Sequence, residues 1–346
     1  MSNILRGLVS LALLLAMAGV AAAQRQAGIK TGLTPEDWTY EMPEGVTFQE
    51  ITFYSDGVGC FGKLFFPKGF VAANDKMPGI VVAQGWAGTH FSVEKYGARF
   101  AERGFVAMVI DYRGWGSSDG FISQAKPTVA RGETFPHRDD QRFTTETIEI
   151  VTKRTRLAPL KQVEDIRNAI SYLQGEGGVD RDRIGIWGSS YAGGHVLSVA
   201  AQDARAKAIV SQIPGINGRN ATNGPAPMRP AILEDAIKRA RIGQGAEFET
   251  GFSVRRMVDV ETNQLAAEYR PFLSIPAIGN RPVLMVAAEN DELCRLPDIK
   301  AAYEALPGPK KLLVVPQITH FQMYVDKAFE ASSNAAADWF QEHLKN

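Results

Sequence analysis

Ile184-Gly185-Ile186-Trp187-Gly188-Ser189-Ser190-Tyr191-Ala192-Gly193-Gly194-His195 joins a short apolar run to a helix-like one through a turn of small residues. Ile184 to Trp187 fits a buried strand, and Tyr191 to Gln202 fits a helix. A chain that turns so sharply from strand to helix strains the residue at the apex, and only small residues two before and two after it let the backbone pass. With Ser190 at the apex those places fall to Gly188 and Ala192; with Ser189 there, the second neighbour downstream would be the bulky Tyr191. The spacing therefore predicts Ser190 at the carboxyl end of a strand, although a glycine-rich turn without chemistry shares the bare Gly-x-Ser pattern.

Outward from this turn, apolar runs alternate with helical ones. Phe48–Tyr54 and Phe61–Phe66, joined by 55–59, read as a hairpin. Ile80–Ala83, Val106–Ile110, Ala208–Ser211, Val283–Ala287 and Leu312–Val315 read as further short buried strands. Helices are expected at Val93–Arg103, Leu160–Gln174, Pro297–Leu306 and about Asp326–Leu344. That rhythm predicts an α/β fold, a mostly parallel central sheet of about eight strands with helices on both faces. Two long segments, at about 121–158 and 213–280, interrupt it, and insertions of that size point to a cap on a single domain covering 24–346.

A serine hydroxyl is a weak nucleophile near neutral pH, so chemistry at Ser190 requires a base within hydrogen-bond reach and a third group to fix the base's tautomer. Val283–Ala288 leads into Glu289-Asn290-Asp291-Glu292, where Asp291 is the expected acid and the two glutamates are its rivals. Leu312–Val315 leads through Pro316-Gln317-Ile318-Thr319 to His320. The chain has five histidines; His90 and His137 precede the nucleophile, His195 lies on the helix that follows it, and His343 falls in the terminal helix and reads as surface. His320 alone fits the order serine, acid, histidine, each on a loop after a strand, that a nucleophile elbow of this kind implies. Charge developing on a carbonyl oxygen needs backbone donors already in place. Tyr191, next to the serine, is one expected donor, and Trp86 in Gln84-Gly85-Trp86-Ala87-Gly88, after the strand at 80–83, is the other.

On these residues the chain resembles the α/β-hydrolase superfamily, in particular dienelactone-hydrolase-like esterases and the Xaa-Pro dipeptidyl-peptidase and cocaine-esterase group. Gln84-Gly85-Trp86 is similar to the His-Gly-x oxyanion motif, and 111–120, Asp-Tyr-Arg-Gly-Trp-Gly-Ser-Ser-Asp-Gly, is similar to the loop after the fourth strand of many members. Two departures are Gln84 for histidine and Ala192 for glycine, the latter eased, on this reading, by Gly193-Gly194. The resemblance implies acyl transfer through Ser190, His320 and Asp291. Its strand order puts Cys60 and Cys294 at opposite sides of the sheet, which implies two separate thiols. The spacing offers no zinc motif, Walker A loop or dinucleotide fingerprint, so no cofactor is called for.

The N-terminus stands apart from the fold. Arg6, the apolar run Leu8–Val20 and Ala21-Ala22-Ala23 read as a signal peptide, 1–23, cleaved after about Ala23, which would make the protein secreted or periplasmic, without stable membrane insertion afterwards. With 45% hydrophobic and 22% charged residues and zero formal charge, the chain has the makings of a large core and no basic tract for nucleic acid. A small-molecule ester or lactone is the expected substrate. The same three residues would serve an acyltransferase or a peptidase, and a binding protein can keep such a fold without the chemistry. The arginines of the insertions, Arg138, Arg142, Arg154, Arg156, Arg229, Arg239 and Arg241, form either a solvated face or a pocket for a carboxylate.

Overall fold

The computed structural model describes residues 33–125, 132–134, 147–217, 228–243, 245, 247–250 and 256–345. The expected leader lies outside these residues, as do His137, Arg138 and Arg142. Eight strands form one sheet: β1 (Thr47–Ser55), β2 (Val58–Phe66), β3 (Met77–Ala83), β4 (Val106–Ile110), β7 (Val179–Ser189), β8 (Ala206–Gln212), β11 (Val283–Ala288) and β12 (Lys310–Val315). Their spatial order is β1-β2-β4-β3-β7-β8-β11-β12. Pairing is antiparallel through β1, β2 and β4 and parallel from β4 to β12.

The parallel strands are apolar without alternation because both of their faces are covered. Successive side chains still point to opposite sides: Val81 and Ala83 join one buried cluster while Ile80 and Val82 join the other, and β11 divides in the same way. Helices α2 (Pro159–Gly175), α3 (Tyr191–Gln202) and α6 (Leu296–Ala305) supply the first cluster through Ile166, Ile170, Val196 and Ile299. Helices α1 (Glu94–Glu102) and α7 (Asp326–Leu344) supply the second through Tyr96, Phe100, Ala337 and Phe340. Among the described residues no helix is long and apolar enough to cross a membrane.

The predicted hairpin is present, but its loop is shorter than the sequence suggests. Only Asp56-Gly57 lies between the strands, with φ of 52° and 75°. Two central residues at positive φ suit a two-residue hairpin turn, whose twist matches that of the strands, so Ser55, Val58 and Gly59 are released into the ladder. Strand β7 likewise starts five residues before the apolar run, with Val179 pairing Met77 across a register shift.

The described parts of the insertions comprise two small antiparallel hairpins, β5 (Phe121–Gln124) with β6 (Ile150–Lys153) and β9 (Glu247–Thr250) with β10 (Arg256–Asp259), helices α4 (Pro230–Ile242) and α5 (Glu261–Glu268), and a 3-10 helix at Pro271–Ile278. Ion pairs join the first insertion to the second: Lys153 to Asp259 at 2.7 Å and Arg156 to Glu261 at 2.6 Å, while Arg239 reaches Glu261 at 2.8 Å. Arg154 donates to the carbonyls of Gly116 and Ser118. These three arginines are therefore engaged within the chain, Arg156 and Arg239 half-buried and Arg154 exposed, as are Arg229 and Arg241.

A buried charge pair fastens the loop after β4 to α2. Arg113, 2% exposed, donates from Nε and its backbone N–H to the two oxygens of Asp165, at 2.7 and 3.0 Å, and to Ser55 Oγ at 2.6 Å. Burial pushes the Asp165 carboxyl up, and the hydrogen bond and charge of Arg113 oppose it. Removing one member of such a pair leaves a desolvated charge behind, so Asp165→Ala should lower the unfolding free energy by roughly 3 kcal/mol, read from urea denaturation.

Candidate active site

Ser190 sits between the last residue of β7 and the first of α3 with φ 59° and ψ −121°, a left-handed conformation rare for a residue with a Cβ. Backbone bonds pin it there: its N–H donates to the Gln212 carbonyl at 2.9 Å, and its carbonyl accepts from Gly193 and Gly215, both at 2.9 Å. A Cβ on Gly188 would lie 2.3 Å from the Ala192 carbonyl oxygen, so that position must be glycine. Ala192 is fully buried with its methyl group in place. Gly193 and Gly194 have another role than easing Ala192: side chains there would meet Pro214 Cα at 2.7 Å and the Gly215 oxygen at 2.3 Å, so they let α3 pass close to the chain leaving β8.

The structure brings the three predicted residues into one line. His320 Nε2 lies 3.0 Å from Ser190 Oγ, and His320 Nδ1 lies 2.7 Å from Asp291 Oδ2. His320 is 1% exposed and Asp291 5%, so little water competes for either bond. The free oxygen of Asp291 accepts from the backbone N–H groups of Leu293 and Cys294 at 2.8 and 2.7 Å, which fixes the carboxylate plane. Asn290 N–H to the Ile318 carbonyl, 3.0 Å, stitches the acid loop to the histidine loop. Of the rival acids, Glu289 is exposed and accepts from the Gln317 backbone at 2.8 Å, and Glu292 is exposed.

The loop after β3 leans over the serine. A Cβ on Gly85 would stand 2.8 Å from Ser190 Cβ and 3.2 Å from Oγ, so only glycine permits this approach. The Trp86 ring meets the Tyr191 ring edge-on at 5.1 Å. Both residues expected to donate from their backbone thus flank Ser190.

Further groups around the line were not singled out from sequence as parts of a site. Asp111, fully buried, receives the His90 backbone N–H at 2.7 Å and faces His90 Nδ1 at 2.6 Å, tying the loop after β3 to the loop after β4. Ser189 Oγ meets Tyr324 OH at 2.8 Å and accepts from Gln212 at 3.2 Å, linking the end of β7 to the turn that follows His320. Cys294 is partly buried and unpaired, as is the buried Cys60; its thiol faces the Ser190 hydroxyl, and burial, reinforced by the Asp291 charge, pushes it well above the ordinary thiol range. His343, expected at the surface, is half-buried and packs on Trp339 at 4.2 Å.

His195, one turn beyond Ser190, has both ring nitrogens occupied, by Tyr269 OH at 2.9 Å and Gln162 Oε1 at 3.0 Å. Complete burial drags its pKa from 6.5 down to about 3. The unfolded chain takes up this proton near pH 6.5 and the folded chain only near pH 3. Between those values the unfolded state binds more protons, so the contribution is complete above about pH 6.5 and drains away as pH falls, by up to about 1.4 kcal/mol per pH unit. His195→Gln should flatten the dependence of the urea midpoint on pH over that window.

The model of the X-Pro dipeptidyl-peptidase (S15 family) matches residues 56–235. The chain is 29% identical over 297 residues to a 31.7 kDa protein of the traX-finO intergenic region of Escherichia coli, with 78% of this chain and 93% of the relative covered. It is 25% identical over 328 residues to the acyltransferase drtE of Aspergillus calidoustus, covering 85% and 95%. Its fold superposes on the crystal structure of hypothetical protein PA2218 from Pseudomonas aeruginosa with a TM-score of 0.69 at 22% identity, over 90% of this chain and 98% of that one.

Proposed function

The chain belongs to the X-Pro dipeptidyl-peptidase (S15) family and is a hydrolase of the α/β-hydrolase fold, and from that premise we propose that it is a serine esterase working through Ser190, His320 and Asp291. The observation that carries this reading is the unbroken line of hydrogen bonds from Ser190 Oγ through the His320 ring to a buried, doubly held Asp291 carboxylate.

In the first step Ser190 Oγ attacks the ester carbonyl while its proton passes to His320 Nε2. Asp291 keeps Nδ1 protonated, so Nε2 is the nitrogen with a lone pair to offer, and the carboxylate stabilises the imidazolium that forms. The backbone N–H groups of Tyr191 and Trp86 receive the oxyanion, each donor being worth on the order of 3 kcal/mol of barrier. His320 then returns the proton to the leaving alkoxide, and water repeats the sequence to free the acid. An ester is the easier substrate for such a site, because an alkoxide leaves more readily than an amide nitrogen.

Similarity to the acyltransferase of Aspergillus calidoustus favours one second reading, transfer of the same acyl group from Ser190 to an alcohol or amine instead of water. A panel of p-nitrophenyl esters of increasing chain length, run beside Xaa-Pro anilides and with or without added acceptors, tests the assignment. Ester turnover to free acid supports it. Turnover of the anilides alone, or product only when an acceptor is present, would replace it with the peptidase or the transferase. We further propose export, on the pattern of Arg6, Leu8–Val20 and Ala21-Ala22-Ala23; a mature N-terminus that still includes Leu8 after expression in a secreting host would refute it.

A further inference from the structure

We propose that Asp291, Cys294 and His320 also form a binding site for a thiophilic divalent cation such as Zn²⁺, and that its occupation switches the hydrolase off. The ligand atoms of these three residues, one carboxylate oxygen, one thiol sulfur and one imidazole nitrogen, all lie within 4.8 Å of one another. Ligands around a tetrahedral zinc ion, bound at about 2.0 to 2.3 Å, stand roughly 3.5 Å apart, so side-chain rotation of about 1 Å closes the set. The loop builds the set without effort: the Cys294 backbone N–H that donates to Asp291 Oδ1 holds cysteine and acid in one turn, three residues apart, under the histidine. A carboxylate, a thiolate and a neutral imidazole carry two negative charges and offer oxygen, sulfur and nitrogen, a donor set matched to a borderline-soft dication.

Binding exchanges the Cys294 thiol proton, released to solvent, for the cation. It also occupies one nitrogen of His320. If that is Nδ1, the bond to Asp291 is lost; if Nε2, the nitrogen no longer accepts the Ser190 proton. Either way the base is disabled, and Cys294, which takes no part in ester cleavage, becomes the residue that confers sensitivity. The inhibitory half of this proposal rests on the esterase assignment above; the binding half does not.

The test uses the full-length protein with Cd²⁺ as a spectroscopic probe and Zn²⁺ as inhibitor. Native protein should develop an ultraviolet sulfur-to-cadmium charge-transfer band at a stoichiometry of one, and Cys294→Ala should abolish it. His320→Ala should weaken Cd²⁺ binding by more than about 100-fold, beyond what loss of an outer-shell partner costs. Zn²⁺ should suppress p-nitrophenyl ester hydrolysis by the native protein, reversibly with EDTA, while Cys294→Ala, judged against its own metal-free rate, stays insensitive. No band in native protein, or a band that survives Cys294→Ala, overturns the site. A Cys294-dependent band without inhibition of an active esterase overturns the switch. The band in a protein that turns over no ester upholds the site and defeats the esterase assignment instead.

Discussion

Ser190→Ala should fold like the native protein and lose about 10⁶-fold in kcat towards an activated ester, together with all labelling by a fluorophosphonate probe. The magnitude follows from the geometry. Ser190 Oγ is the atom that His320 Nε2 faces at 3.0 Å, and the neighbouring Ser189 cannot substitute, because it is fully buried and its hydroxyl is held by Tyr324 and Gln212. What survives is the catalysis that positioning and the backbone donors supply without a nucleophile. Thermal unfolding recorded beside the kinetics separates lost chemistry from lost structure. Labelling that persists in Ser190→Ala would move the nucleophile elsewhere.

The second large effect is expected at Asp291, the proposed acid. Asp291→Asn replaces an acceptor by an amide at Oδ2, and the Leu293 and Cys294 N–H groups favour keeping its oxygen at Oδ1. The amide nitrogen would then face His320 Nδ1 and donate to it, so the ring settles with its hydrogen on Nε2, where the base must have a lone pair. A wrong tautomer of this kind costs about 10⁴-fold in kcat with little change in KM. Glu289→Gln should stay within about threefold of native, since that side chain only receives a backbone N–H from Gln317. If Glu289→Gln proved crippling and Asp291→Asn harmless, the assignment of the acid would be reversed.

The sheet was legible because doubly buried parallel strands have no polar face to write, so Ile80–Ala83 and Val283–Ala287 stand out as short apolar runs. What escaped were ends decided by pairing and not by composition: the polar start of β7, and Val58 and Gly59, drawn into the ladder once Asp56-Gly57 closes the turn. At the candidate site, Ser190, Asp291 and His320 could be named because each follows a strand in an order the fold imposes. Asp111 with His90, and Tyr324 with Ser189, meet across 21 and 135 residues of chain. Nothing local in sequence marks such partners, since a buried aspartate and a solvated one are spelled alike. Cys294 was visible as a residue and invisible as a neighbour of His320, because the turn that brings it there is set by hydrogen bonds to Asp291.

The backbone of Ser190 carries a conformational cost. At φ 59° a residue with a Cβ is less comfortable than glycine by about 1 kcal/mol. Ser190→Gly should therefore raise the melting temperature by a few degrees or less while removing the nucleophile, whereas Ser190→Ala, with the Cβ retained, should not. Glycine is thus the one replacement that relieves the backbone as it ends the chemistry. A chain with glycine at this one position would hold the turn at ease and have nothing to attack with.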